Sequence, residues 1–110
     1  MENHNMKMLE KVHTVDRRAN AIRTEVKHAY YTGRAFESTG KSIENIKDEI
    51  FDILQKILGQ NGQDFDSTLY DIARNVSYKI YAIGEAWDEL INIGYSPKAH
   101  KAFADMIAYH

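Results

Sequence analysis

The chain has 110 residues, one proline, no cysteine and a net charge of −2, and 44% of its residues are hydrophobic. This length predicts one domain, residues 1–110, and the composition is typical of a folded protein. The absence of cysteine excludes disulfides and thiolate metal sites. No apolar run approaches the roughly 18 residues that span a bilayer, and the N-terminus lacks an apolar signal segment. We therefore expect a cytoplasmic protein with no membrane partner.

The charge is distributed unevenly. Residues 1–41 carry eight Lys and Arg against five Asp and Glu (+3), and the remainder carries six against eleven (−5). Two interpretations are open: helical surfaces that complement each other when packed, or a basic flank that attracts a phosphate-bearing ligand. The chain has no dense basic patch and no aromatic RNA motif, so the pattern does not favour nucleic acid as a partner.

The first segment, Glu2 to about Ser38, alternates apolar steps of four and three residues, which predicts one long helix or two collinear ones. The repeating positions are Met8, Val12, Val15, Ala19, Ile22, Val26, Ala29, Gly33 and Phe36. Glycine is unfavourable inside a helix, so a break near Gly33 is a further expectation. The run Ser38-Thr39-Gly40 is expected to end this segment.

Ser42 is a favourable N-cap for a second helix, and the apolar seam that follows has the same spacing. The seam consists of Ile43, Ile46, Ile50, Ile53 and Ile57, and Phe51, Leu54 and Leu58 are expected to widen it. Two glycines in the stretch 59–62 predict the end of this helix.

Asp64, Asp66 and Ser67 suit the start of a third, long helix, because acidic groups are favourable at the positive end of the helix dipole. Its apolar positions are Leu69, Ile72, Val76, Ile80, Ile83, Trp87, Leu90 and Ile91. Gly84 is a candidate bend in this helix, and Gly94 is expected to close it.

Ser96 and Pro97 form an N-cap and first-turn pair for a last short helix, Lys98 to about Ala108. No stretch shows the alternation of a strand. The sequence therefore predicts an all-α fold: a bundle of about four helices, the first and third long, mostly antiparallel because the loops are short.

Two stretches of the sequence contain candidate metal ligands. Glu25 and His28 in the first helix, and Glu49 and Asp52 in the second, are three residues apart beside their own seams. If the helices pack antiparallel and both pairs face one cleft, three carboxylates need a cation, and oxygen ligands favour Mg²⁺, with Mn²⁺ as the alternative. Bound Mg²⁺ also takes phosphate oxygens, which suits a nucleoside triphosphate. The alternative interpretation is a solvated helix surface, on which Glu25 pairs with a neighbouring base.

The stretches TEVKHA, NIKDEIFDIL and DFDSTLYDIARN, in this order, resemble the MazG-like all-α nucleoside triphosphate pyrophosphatases over roughly residues 22–79. That family has ExxE on one helix and ExxD on the next, and its acids hold Mg²⁺ against the triphosphate. Glu25 matches the first acid, and Glu49 and Asp52 match the ExxD pair. The resemblance implies hydrolysis of a nucleotide to its monophosphate and pyrophosphate, with Glu49 as the candidate catalytic residue, in a homo-oligomer that is a dimer or tetramer.

His28 stands where the family has its second glutamate. Imidazole suits Mn²⁺ and Zn²⁺ better than Mg²⁺, so three interpretations are open: a changed metal preference, a weakened site, or a different alignment. The resemblance also implies that Arg74, Asn75 and Lys79, on the next helix, hold the phosphates.

Two classes of function remain. One is a metal-dependent nucleotide pyrophosphohydrolase, or a nucleotide-binding relative without catalysis. The other is a non-catalytic helical bundle that serves oligomerisation or partner binding. The enzyme needs the acidic stripes of the first two helices to converge across a cleft. The interaction protein leaves Glu25, Glu49 and Asp52 dispersed in solvent, with extra apolar surface at a subunit contact.

Overall fold

The computed structural model describes residues 4–32 and 37–93, and within these ranges the chain forms three α-helices and no strand. Helix α1 spans His4–Thr32, α2 spans Glu37–Leu58 and α3 spans Ser67–Ile93. At 1.5 Å per residue they are about 43, 33 and 40 Å long. The predicted all-α class and the two long helices are thereby confirmed.

The predicted count of four helices is not confirmed. The short helix expected from Lys98 to about Ala108 lies outside the described residues, as do Gly33, Phe36 and Gly94. The bundle described below is therefore the three-helix part of the chain.

One apolar seam from each helix contributes to a common core. The predicted seam residues of α1 and α2 that the structure describes are all buried. They are Met8, Val12, Val15, Ala19, Ile22, Val26, Ala29, Ile43, Ile46, Ile50, Ile53 and Ile57. Burying an Ile or Val side chain is worth about 1.5–3 kcal/mol, so these seams are the main source of the bundle's stability.

Not every apolar residue joins this core. The sequence predicts that Phe51 and Leu58 widen the α2 seam and that Ile91 is one of the apolar positions of α3, but all three side chains are about half exposed. Phe51 is next to the buried Ile50 in the chain, and successive residues of a helix point about 100° apart. A side chain next to a narrow seam therefore points to solvent even when it is apolar.

The start of α2 corrects the sequence expectation, because the helix begins at Glu37 and Ser42 lies inside it. Thr39 is buried against α1, and its hydroxyl donates a hydrogen bond to Glu25 Oε2 at 3.3 Å. Gly40 lies against the indole of Trp87, where an added Cβ would be 3.1 Å from Nε1. The small residues that suggested a helix end instead allow α2 to pack closely.

The ends of the α2–α3 connection agree with prediction. Helix α2 ends at Leu58, where Gly59 N–H donates to Gln55 O at 3.0 Å. Asp66 caps α3, because its Oδ1 accepts the N–H of Leu69 at 3.0 Å. Helix α3 then continues through Gly84, so the expected bend does not interrupt it.

Each helix contacts the other two. α1 and α2 are antiparallel, because Arg18 pairs with Glu49 whereas Glu25 pairs with the earlier Thr39. Lys79 of α3 reaches back to α1, where its Nζ lies 2.7 Å from Asp16 Oδ1. None of the helices in residues 4–32 and 37–93 is both long and apolar enough to cross a membrane.

Candidate functional site

The register between α1 and α2 decides whether the two predicted acidic pairs meet. Glu49 of α2 forms an ion pair with Arg18 of α1. Glu25 of α1 instead accepts the hydroxyl hydrogen bond of Thr39. Thr39 precedes Glu49 by ten residues, which corresponds to about 15 Å along a helix. The structure therefore places Glu25 and Glu49 at different levels of the bundle.

Each predicted acid has a different neighbour. Asp52 pairs with Lys56 of its own helix, with 3.0 Å between Oδ2 and Nζ. The side chains of Glu49 and Arg18 are both nearly half exposed. Exposed pairs of this kind stabilise a fold by about 0–1 kcal/mol, so they leave the carboxylates available to a ligand.

The four predicted metal ligands are not brought together. Within the described part of the chain, no three side chains of His, Asp or Glu lie close enough to hold one metal ion. Glu49 and Asp52 share one groove, described below, whereas Glu25 lies level with Thr39, and His28 follows one helical turn beyond Glu25 on the exposed surface of α1. The four-residue set stays a prediction from the sequence resemblance.

The residues of α3 that are predicted to hold phosphates do not all lie on one side of the helix. Lys79 reaches α1, where its Nζ contacts Asp16 and Asn20. Arg74 lies five residues earlier, about 140° away around the helix, and its guanidinium carbon is 5.7 Å from the ring centroid of Tyr70. Asn75 is exposed. Arg74 and Lys79 therefore do not lie on one side of α3, and Lys79 serves as a link between α1 and α3.

A groove between α1 and α2 is lined by both acidic and basic residues. It encloses about 630 Å³ and includes Val15 and Ile53 among its lining residues. The charged residues that line it are Lys7, Glu10, Lys11, Arg18, Glu49 and Asp52. Two of the predicted acids thus lie beside three basic groups. The sequence signal for those basic groups is their spacing, because residues 7, 11 and 18 repeat at helical intervals on one side of α1.

A second surface, on α2, α3 and the loop between them, exposes large apolar side chains. We call it the aromatic face and define it as Phe51, Leu58, Phe65, Tyr78 and Tyr81. Four of these side chains are about half exposed or more: Tyr78 62%, Phe51 58%, Leu58 53% and Tyr81 47%.

Contacts between the helices show that these residues belong to neighbouring strips of surface. Lys47 Nζ lies 5.5 Å from the ring centroid of Tyr81, so the side of α2 that carries Lys47 borders α3. Phe51 is one turn after Lys47 on that side. In the loop, the ring of Phe65 lies 5.9 Å from that of Tyr70, at the start of α3. The aromatic face therefore follows the α2–α3 boundary.

The sequence does not indicate this face by itself, because its pattern favours Phe51 and Leu58 as part of the buried α2 seam. The sequence nevertheless contains a signal for this face. Steps of three and four residues define the buried positions of α2 and α3, and Phe51, Leu58, Tyr78 and Tyr81 do not lie at those positions.

Comparison with protein-family models, with curated proteins and with solved structures finds no match for this chain.

Proposed function

We propose that this chain is a non-catalytic helical-bundle module that acts by self-association through its aromatic face. The observation that carries the proposal is the exposure of Phe51, Leu58, Tyr78 and Tyr81 along one boundary between two helices. Aromatic side chains each bury roughly 150–250 Å², so the three half-exposed rings of Phe51, Tyr78 and Tyr81 leave roughly 300 Å² of surface, to which Leu58 adds. The largest apolar patch on a typical monomer is of this size and is often a functional surface.

The positions of the acids support the same proposal. Glu25, Glu49 and Asp52 are exposed and have three different partners, which is the arrangement expected of an interaction protein. A chain of this size buries only a modest fraction of its surface when it folds alone, and association with a second copy increases that fraction.

Substitution of the face tests the proposal. We expect Phe51→Asp and Tyr78→Asp each to convert a dimer to a monomer in sedimentation velocity, because each places a charge in an apolar contact. Met6→Asp is the matched control, since Met6 is 63% exposed on α1 and is not one of the residues of the aromatic face. Circular dichroism of all variants reports that the helices are retained. Variants of the face that sediment like the native dimer would exclude this surface as the contact.

The second candidate function is metal-dependent hydrolysis of nucleoside triphosphates to monophosphate and pyrophosphate, as the sequence resemblance implies. The α1/α2 groove favours it, because Glu49 and Asp52 lie beside Lys7, Lys11 and Arg18. Mg²⁺ in nucleotide enzymes is commonly held by one or two carboxylates together with substrate phosphates. Two acids with adjacent basic groups for the phosphate charge therefore suit a Mg²⁺–nucleotide complex, with Mn²⁺ as the alternative ion.

Pyrophosphate release over a panel of NTPs and dNTPs, with Mg²⁺ or Mn²⁺, tests this candidate. If the groove is catalytic, Glu49→Gln and Asp52→Asn lose release by about 100-fold or more, because each removes a carboxylate that would hold the metal ion, and the metal ion would neutralise phosphate charge. Glu44→Gln is the control, since Glu44 is an exposed acid on another side of α2 that pairs with Lys47. Absence of release with every nucleotide and both metals would exclude the activity, and equal release by Glu49→Gln would exclude the α1/α2 groove as its site.

A further inference from the structure

Four residues form a straight seam on the outer side of α3: Arg74, Tyr78, Tyr81 and Glu85. Their spacing of four, three and four residues keeps them on one stripe of the helix over about three turns. All four side chains are exposed. Tyr78 and Tyr81 lie about 160° and 100° around the helix from the buried Ile80, so the seam faces away from the core and another molecule can approach it.

The order of residue types along this seam is self-complementary. Arg74 and Glu85 are equally far from the midpoint between residues 79 and 80, and so are Tyr78 and Tyr81. When two identical helices pack antiparallel about that midpoint, Arg74 lies opposite Glu85 of the second copy, and Tyr78 lies opposite Tyr81 of the second copy. A two-fold axis repeats both contacts.

We infer that the partner of the aromatic face is a second copy of this chain, bound with α3 antiparallel to α3 and with the two-fold axis level with residues 79–80. This inference rests on the proposed self-association and specifies its geometry. Four tyrosine rings form the centre of the contact, and two Arg–Glu pairs close its ends, as in interfaces with an aromatic core and a charged rim.

The charges select the antiparallel arrangement. A parallel pair of α3 helices in register would place Arg74 against Arg74 and Glu85 against Glu85, and like charges at such a contact are strongly unfavourable. The antiparallel arrangement replaces both repulsions with attractions.

Arg74 makes weak, exposed contacts within its own chain, and its guanidinium carbon lies 5.7 Å from the centroid of the Tyr70 ring. Its Nη2 lies 3.6 Å from Asp71 Oδ1, and both side chains are about half exposed or more. That distance is longer than a hydrogen bond, so Arg74 can turn to Glu85 of the second copy at little cost.

The antiparallel register also makes Asp71 level with Asp88 of the second copy. These two positions are about 100° apart around the helix, on opposite flanks of the seam, so they do not meet.

Phe51 extends this contact from α2. It lies on the side of α2 that borders α3, and its ring is more than half exposed. In the dimer, Phe51 flanks the four tyrosines and enlarges the apolar centre. The seam on α3 sets the register, and Phe51 contributes apolar area.

Charge reversal tests the geometry. Arg74→Glu and Glu85→Arg are each expected to weaken the dimer, with Kd raised about tenfold or more in sedimentation equilibrium, because each creates like-charge contacts at both ends of the seam. The double variant Arg74→Glu/Glu85→Arg restores opposite charges and is expected to return Kd to within about threefold of the native value. Lys56→Glu, which makes the same change of charge on the exposed surface of α2, is the control.

The outcomes separate this inference from the proposed function. A double variant that remains as weak as the single variants, or single variants with native Kd, would overturn the antiparallel seam. If Phe51→Asp still dissociates the dimer in that case, self-association through the aromatic face stands without this register. A native chain that is monomeric at all concentrations would overturn both.

Discussion

Ile50 and Phe51 are neighbours in the chain, yet Ile50 is fully buried and Phe51 is more than half exposed. Helix geometry alone accounts for this difference, because one residue step turns the side chain by about 100°. The contrast separates two roles at the residue scale. Residues on the seam hold the bundle together, and an apolar residue one step away is available for binding.

Asp66 is the residue that starts α3, and its substitution gives a prediction at this scale. We expect Asp66→Ala to lower the free energy of unfolding by about 1 kcal/mol in urea denaturation, because the Leu69 N–H loses its acceptor. Asp64→Ala is the control, since the hydrogen bonds described for Asp64 are made by its backbone. Equal losses in the two variants would contradict the assignment of Asp66 as the cap.

The sequence offered three candidates for this cap, Asp64, Asp66 and Ser67, and could not choose among them. All three residue types are common at the start of a helix. The position of the first helical turn decides which of their side-chain oxygens meets a free N–H. The same limit applies to the acids. Their placement on exposed stripes of α1 and α2 followed from heptad spacing, whereas their partners did not.

At the scale of the helices, register is what the sequence could not supply. The spacing of apolar residues predicted the three seams well, because burial of one face is a property of each helix by itself. The level at which α1 meets α2 depends on how the two seams interdigitate. That level places Arg18, and not Glu25, opposite Glu49.

Gly40 illustrates a second limit at this scale. In the sequence it resembles a helix end, and in the structure it lies inside α2 against Trp87. A glycine that terminates a helix and one that allows close packing look the same in a single sequence, because both meanings follow from the missing side chain. For this reason the sequence predicts the start of α2 at Ser42, whereas the helix begins at Glu37.

We expect Gly40→Leu to lower the free energy of unfolding by about 1–3 kcal/mol, because a Cβ at this position already lies 3.1 Å from Trp87 Nε1. Fluorescence of Trp87, the only tryptophan in the chain, reports the disturbed contact directly. Gly62→Leu is the matched control, since a Cβ there has no neighbour within 4 Å. A Gly40→Leu protein with native stability and native fluorescence would contradict the close approach of α2 and α3.

At the scale of the whole molecule, two surfaces compete as the functional one. Part of the uneven charge is paired between helices at the surface of the bundle, where Arg18 of α1 pairs with Glu49 of α2. The α1/α2 groove keeps basic and acidic groups side by side, and the aromatic face exposes apolar surface along the α2–α3 boundary. The first surface suits a nucleotide, and the second suits a copy of the chain.

Self-association is tested most directly by the mass of the native full chain in sedimentation equilibrium over about a 100-fold range of concentration, a range that resolves a two-state dimer equilibrium. We predict a rise from the 12.7 kDa of one chain toward about 25 kDa, the mass of two chains. A mass that stays at 12.7 kDa throughout would contradict self-association as the function of the aromatic face.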